Sequence, residues 1–312
     1  MRYCDLHCDA LTNEGVLQVA GENLRAGDCM LQCFAAFVSA RHGRFNAALA
    51  LCEKFEALCK TEGYRPVCAP SDLDVDGRAV NAVLTVEEGG AIEGSLDKLA
   101  VLYGKGVRMM TLVWNHPNEI GFPNFPDYEG LCAGRVSFST RETERGLTEF
   151  GRSVVERMNA IGMLADVSHG SDRLFYDVAE MCKAAGKPFV ASHSGAVSAY
   201  DCARNLTDRQ IRRLAECGGV VGLDFCADFL SADKSAEGQR EAILAHAHEI
   251  VNAGGEEVLA IGSDFDGIPE NPYVKNPADV PKLLEELSRE FGCAAAEKFA
   301  YKNFLRVFKS LE

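Results

Sequence analysis

Short apolar runs alternate along this chain with longer stretches whose apolar positions recur every three or four residues. The runs are Arg2–Leu6, Leu31–Val38, Ala82–Val86, Val107–Trp114, Met163–Val167, Pro188–Ala191, Gly219–Phe225 and Val258–Gly262, eight in all. Their near-continuous Val, Leu, Ile and Ala character suits parallel strands buried on both faces. Between them, Phe150, Val154, Met158 and Ile161 recur at helical spacing before Gly162, which can adopt the left-handed stop. Leu174, Val178, Met181 and Ala185 repeat the pattern before Gly186, and Thr207 with Gln210 forms a capping box ahead of Ile211 and Leu214. Further helices are predicted over Glu241–Ala253, ending at Gly254, and over Pro277–Phe291 and Ala294–Leu311. Eight strands alternating with helices predict an α/β fold, a single (β/α)8 barrel over residues 1–312 with no Pro-, Ser- or Gly-rich linker to divide it. The segment Asn115–Thr140, rich in Pro, Gly and Asn, predicts a long loop after the fourth strand, where barrels shape substrate pockets.

Reactive groups in such a barrel sit just past the C-terminal ends of the strands. At those positions this chain carries His7-Cys8-Asp9, Glu87-Glu88-Gly89-Gly90, Ser168-His169, Ser192-His193-Ser194 and Ser263-Asp264-Phe265-Asp266-Gly267. Residues two apart on a strand share a face, so His7 and Asp9 can act together. Three histidines with several carboxylates at one mouth form a ligand set that suits Zn²⁺ or a similar divalent ion. Two other patterns carry less. Asp72-Leu73-Asp74-Val75-Asp76-Gly77 resembles the start of a calcium loop, but its twelfth position is Val83, where a bidentate Glu is required, so a turn is expected. His246-Ala247-His248 falls in a predicted helix, where residues two apart do not face one another, and reads as a solvated surface.

Composition narrows the partners. The 46 acidic residues against 32 basic ones leave a formal charge of −14, which repels phosphate backbones and disfavours a nucleic-acid partner. No apolar run approaches the roughly 18 residues that span a bilayer, so no membrane partner is expected. The 13 cysteines are scattered, odd in number and without a C-x-x-C pair, which reads as reduced, mostly buried thiols in a cytoplasmic protein. Cys4 and Cys8 are expected in the core, not among metal ligands. Neither a secretory leader nor a lipid-anchor tail is read at the ends.

With these residues in place, the sequence resembles the membrane dipeptidase (renal dipeptidase) family of zinc metallopeptidases, from Asp5 to the last helices. The resemblance rests on Asp5-Leu6-His7-Cys8-Asp9, Glu88-Gly89-Gly90, Gly106–Leu112, Gly146–Gly151, Asn159–Met163, Asp166–His169, Ser192–Ser194, Arg204–Asp208 and Gly262–Gly267. It implies a barrel with two Zn²⁺ per chain: His7 and Asp9 on one ion, His169 and His193 on the other, and Glu88 bridging. The Glu-Gly-Gly context assigns the bridge to Glu88 rather than Glu87. The resemblance further implies that Asp264 handles the proton and Arg204 binds the substrate carboxylate. Two zinc ions about 3.5–4 Å apart would activate a shared water for attack on a peptide bond. The substrates are then dipeptides with a free C-terminus; the alternative is another binuclear amidohydrolase acting on N-acyl amino acids or lactones. One departure stands out. Where many family members place a carbonyl-assisting His after the fourth strand, this chain has Trp114, with His116 two residues on; both are expected in substrate binding, and either Trp114 or His116 takes the place of that His. The partners implied are small dipeptides and, in assembly, a second copy of the chain as a homodimer.

Overall fold

A computed structural model describes residues 1–39 and 43–311. Nine strands occur among them: β1 (Tyr3–Asp5), β2 (Cys29–Phe37), β3 (Arg65–Pro66), β4 (Asn81–Glu87), β5 (Val107–Thr111), β6 (Leu164–Asp166), β7 (Val190–Ser194), β8 (Val220–Leu223) and β9 (Leu259–Ile261). β2 pairs with both β1 and β4, and β1 pairs with β9. Eight strands therefore close into a parallel ring in the order β1-β2-β4-β5-β6-β7-β8-β9, the barrel expected from the apolar runs. The two-residue β3 lies outside the ring on the edge of β4, where its pattern is too short to read in advance.

Two packed layers hold the barrel. Inside, Cys4, Val83, Met109, Leu164, Val190, Val220 and Ala260 converge from seven strands, and Phe304 and Phe308 of the C-terminal helix join them. Outside, Ala82, Leu84 and Val86 face the helical shell together with Leu99, Leu102, Val154 and Val178. Burying each such side chain stabilises the fold by about 1.5–3 kcal/mol.

The helical stops follow the chemistry of their end residues. Glu149–Ile161 begins at Thr148, whose hydroxyl accepts from Gly151 N, and ends at left-handed Gly162. Asp172–Ala185 ends at left-handed Gly186, and Asp208–Glu216 carries the Thr207/Gln210 capping box. Two expectations shift. The helix predicted over 241–253 runs from Ala236 to Gly254, because Ser235 caps it through Gly238 N. The last predicted helix is broken into Cys293–Glu297, a π turn at Lys298–Lys302 and Asn303–Lys309. The long loop after β5 contains a short helix, Tyr128–Cys132, capped by Asp127. The Asp72–Gly77 segment is a turn, with Asp74 Oδ1 accepting from Gly77 N at 2.8 Å. No described helix is long and apolar enough to cross a membrane.

Candidate metal centre and substrate mouth

β1 and β9 run on side by side past their ends: Asp9 N donates to Phe265 O at 2.9 Å and Asp264 N to His7 O at 3.2 Å. This pairing sets Asp264 against His7, with Oδ1 3.8 Å from Nε2. His7 Nε2 also lies 3.6 Å from Asp9 Oδ2 and 3.5 Å from Glu87 Oε2. Across the mouth, Glu87 Oε1 lies 3.2 Å from His169 Nε2 and 3.6 Å from His193 Nε2. Two ligand triads, His7–Asp9–Glu87 and Glu87–His169–His193, thus share one carboxylate, and a third joins His7, His193 and Asp264.

Glu88, expected as the bridging ligand, is not brought to the histidines. Its carboxylate accepts from Gly90 N at 2.8 Å, Trp114 N at 3.0 Å and Asn118 Nδ2 at 2.6 Å, tying the loop after β4 to the loop after β5. The reason lies in strand alternation. Val83, Thr85 and Glu87 share a face of β4, and Val83 packs inside the barrel, so Glu87 enters the mouth. Glu88 follows with φ of 79°, a left-handed conformation that normally favours glycine, and turns away.

The histidines are oriented by fixed partners. His169 Nδ1–H donates to Asn115 Oδ1 at 2.9 Å, and His193 Nδ1 contacts Ser192 Oγ at 2.8 Å. Ser192 in turn donates to Asp166 Oδ2 at 2.6 Å, so the hydroxyl accepts from the imidazole. Both rings thereby present an unprotonated Nε2, and these two nitrogens stand 3.0 Å apart. His7 Nδ1 and Nε2 and Asp9 Oδ1 are buried with no hydrogen-bond partner among the described residues. Facing imidazole lone pairs and orphaned buried atoms around a shared carboxylate fit divalent cations, which such N and O donors bind well.

Electrostatics point the same way. Burial opposes protonation of His7, but Glu87 and Asp9 outweigh it and raise its pKa well above the usual value. Burial, with Arg204 and His7 beside it, holds His169 well below the ordinary imidazole range; burial and His7 do the same to His193. Burial and the Asp9 charge push Glu87 up to about 7. Burial and the neighbouring Asp224 hold the Asp264 carboxyl well above its usual range. Asp224, at the end of β8, is itself raised by burial to about 6, with Arg204 drawing it down.

Arg204 is buried beside the cluster. Its Nη2 lies 3.1 Å from His169 Nε2 and donates to His193 O at 3.3 Å, and its guanidinium stacks over Phe229 at 5.3 Å. Asp266 is committed elsewhere: it accepts from Gln18 N, Val19 N and Asn13 Nδ2, clamping the loop after β1. A Cβ at Gly267 would stand 2.1 Å from Asp9 Oδ2 and 2.7 Å from Asp264 Oδ1, so any larger residue there would push these carboxylates out of place.

The mouth opens into a cavity of about 810 Å³ lined by Asp9, Glu87, Trp114, Asn115, His169 and Asp264 among others. Trp114 also borders a neighbouring cavity of about 580 Å³, where His116 lies with Glu88 and Arg44. His116 packs edge-on against Tyr128 at 5.5 Å and does not line the mouth, so it is not brought to the position expected of a carbonyl-assisting group. The expectation for His246 is also corrected. It is buried, with Nδ1 accepting from Ala196 N at 2.9 Å and Nε2 contacting Leu230 O at 3.1 Å, whereas His248 is half-buried and lies beside Glu290. Asn115 and Asp224, absent from the sequence-based site, carry no motif of their own; only their places, four residues past β5 and one past β8, could have marked them. All 13 cysteines are free; Cys4 and Cys8 are buried as expected.

The sequence matches the family described as "Membrane dipeptidase (Peptidase family M19)" over residues 5–312. The chain belongs to the membrane dipeptidase family. It is 32% identical over 245 residues to an uncharacterized protein in the pqqA 5' region of Klebsiella pneumoniae, covering 76% of this chain and 84% of that one. It is 28% identical over 300 residues to dipeptidase 3 of Rattus norvegicus, covering 95% of this chain and 59% of the rat protein. Its fold is that of a solved dipeptidase, a metallopeptidase of family M19, with a TM-score of 0.86 at 24% identity over 99% of this chain and 98% of that one. It equally resembles a Rhodobacter sphaeroides metallopeptidase solved with a phosphinate mimic of the dipeptide L-Ala-D-Ala, with a TM-score of 0.85 at 22% identity over 100% and 99% of the two chains. Family membership makes the chain a hydrolase of the metallo-dipeptidase kind.

Proposed function

We propose that residues 1–312 act as one binuclear zinc dipeptidase unit, with Glu87 as the bridging ligand. His7 and Asp9 would hold one ion and His169 and His193 the other. The observation that carries this reading is the pair of ligand triads that overlap on Glu87. Two divalent ions bound there would lower the pKa of a water and polarise the scissile carbonyl. The protein's own groups do the rest. Asp264 accepts the attacking water's proton on its carboxylate and returns it to the leaving amine, a role its place beside His7 supports. Arg204 holds the substrate's C-terminal carboxylate through its planar fork, which selects dipeptides with a free C-terminus. Asn115 and the Ser192–Asp166 pair keep His169 and His193 in the tautomer that leaves Nε2 free. The unpaired cysteines support a cytoplasmic setting.

The test compares a dipeptide with its C-terminal amide. The acid should be hydrolysed and the amide poorly, and strong chelation should abolish turnover until zinc is restored. Arg204→Lys keeps the charge but loses the fork, at a cost of roughly 1.5–3 kcal/mol in binding. Equal rates on acid and amide would assign Arg204 another role.

A further inference from the structure

One wall of the mouth is aromatic, and its position in the ring of strands fixes which end of a substrate meets it. Phe37 at the end of β2 packs on Trp114 beyond β5 at 5.0 Å, and Trp114 meets Tyr128 at 5.6 Å. All three line the mouth cavity. Trp114 stands 6.1 Å from the His169 ring, beside the cluster that flanks the scissile bond. In the ring order β1-β2-β4-β5-β6-β7-β8-β9, β2 lies opposite β7, the strand that leads to Arg204. A dipeptide whose carboxylate is held by Arg204 and whose carbonyl lies over Glu87 therefore extends its amino-terminal residue toward Phe37 and Trp114.

The rest of the lining agrees with that direction. Asp9, Glu14, Asp264 and Asp266 border the cavity, while the Arg204 guanidinium lies against His169 and Phe229, two of its wall residues on the opposite side from Phe37. With Asp9 held on an ion and Asp266 spent on the 13–19 loop, Glu14 and Asp264 remain to favour an α-ammonium group over an acidic side chain. The cavity's volume of about 810 Å³ leaves room for a large side chain next to the reacting centre.

We infer that Phe37, Trp114 and Tyr128 form the subsite for the side chain of the substrate's N-terminal residue, and that this subsite selects large apolar or aromatic side chains over small or acidic ones. The inference rests on the dipeptidase reading above and adds its substrate class. The aromatic faces bury an apolar side chain and order it beside the carbonyl, so the preference appears in kcat/KM.

The test uses the zinc-loaded enzyme and two matched series, X–Ala and Ala–X, with X as Gly, Ala, Leu, Phe and Glu. From Gly–Ala to Phe–Ala, kcat/KM should rise about tenfold to a hundredfold, the scale of burying one large apolar side chain. Glu–Ala should be a poor substrate, and the Ala–X series should vary less. In Trp114→Ala and Phe37→Ala, the ratio of Phe–Ala to Gly–Ala should contract by about tenfold. A flat X–Ala series, a ratio unchanged in both variants, or a steeper Ala–X series overturns the inference and leaves dipeptide hydrolysis standing. No turnover of any dipeptide overturns the hydrolytic reading and this one with it. A second readout needs no variant, because Trp114 is the chain's single tryptophan. On rapid mixing, Leu–Ala should change its fluorescence more than Ala–Leu, and the reverse order would contradict the assignment.

Discussion

Asp264 and Asp266 are two residues apart and both take left-handed backbone conformations, with φ of 61° and 69°, yet their surroundings give them different work. Asp266 spends its carboxylate on two backbone N–H groups and Asn13, whereas Asp264 faces His7. Asp264→Asn should keep most of the metal while kcat falls by about 10²–10⁴, because an amide cannot accept and return the proton. Asp266→Asn should instead loosen the 13–19 loop with a smaller loss of kcat. Metal content and kcat, measured in parallel, separate the two roles; near-normal turnover in Asp264→Asn would reject the shuttle. That His7, Asp9, His169, His193 and Asp264 gather at one mouth was legible from the sequence because each lies within three residues of the end of an apolar run. Glu88 was misread because a Glu-Gly-Gly pattern took precedence over strand alternation. The parity of Val83 and Thr85 points Glu87 inward, and that argument needs only the sequence once the buried face of β4 is known. His246 was misread for a different reason: a helix pattern does not say which polar residue will find buried partners, here Ala196 N and Leu230 O.

Strand ends are the element on which the site is built. Glu88, His169, Asp264 and Asp266 all carry positive φ just past strand ends, strained non-glycine conformations of the sort that persist where surrounding structure holds them. The loop after β5 supplies part of that hold, since Asn115 accepts from His169 Nδ1–H. Asn115→Ala should free the His169 ring and weaken the ion held by His169 and His193 by about 10- to 100-fold, while sparing the other. Competitive titration of the two sites with a chelator checks this, and equal weakening of both would contradict it. The eight ring strands were legible because each is buried on both faces and so reads as a continuous apolar run. The two-residue β3 and the short Tyr128–Cys132 helix were not, since neither is long enough to show a period. The break at Lys298–Lys302 was likewise hidden, because a π turn leaves the apolar spacing nearly intact.

At the scale of the molecule, the barrel holds Asp9, Glu87, Asp224 and Asp264 buried around one mouth. Bound cations offset that charge, so their removal should lower Tm; binding at a thousand times Kd is worth about 4 kcal/mol per ion. The stripped protein should also gain a pH dependence. Glu87 is raised to about 7 and Asp224 to about 6, above the values they take when unfolded. A group raised on folding contributes stability below its unfolded pKa and loses it as pH rises through the folded value. The stripped protein should therefore melt at a lower temperature at pH 8 than at pH 6.5, and zinc should remove most of the difference. A stripped protein with the same Tm at both pH values would contradict the buried-carboxylate account. The eight-stranded ring that creates this mouth was legible from its continuous apolar runs, whereas the charges gathered inside it depend on which way each strand end turns.

A single carboxylate, Glu87, is the centre of the proposed two-ion site. Metal content per chain and dipeptide turnover should be measured on the same preparations of the parent protein, Glu87→Gln and Glu88→Gln. The parent should hold about two divalent ions. Glu87→Gln should lose metal from both sites together with turnover, and Glu88→Gln should keep both ions with a smaller loss of rate through its contact with Trp114. Full metal and full turnover in Glu87→Gln, with loss of both in Glu88→Gln, would contradict this assignment.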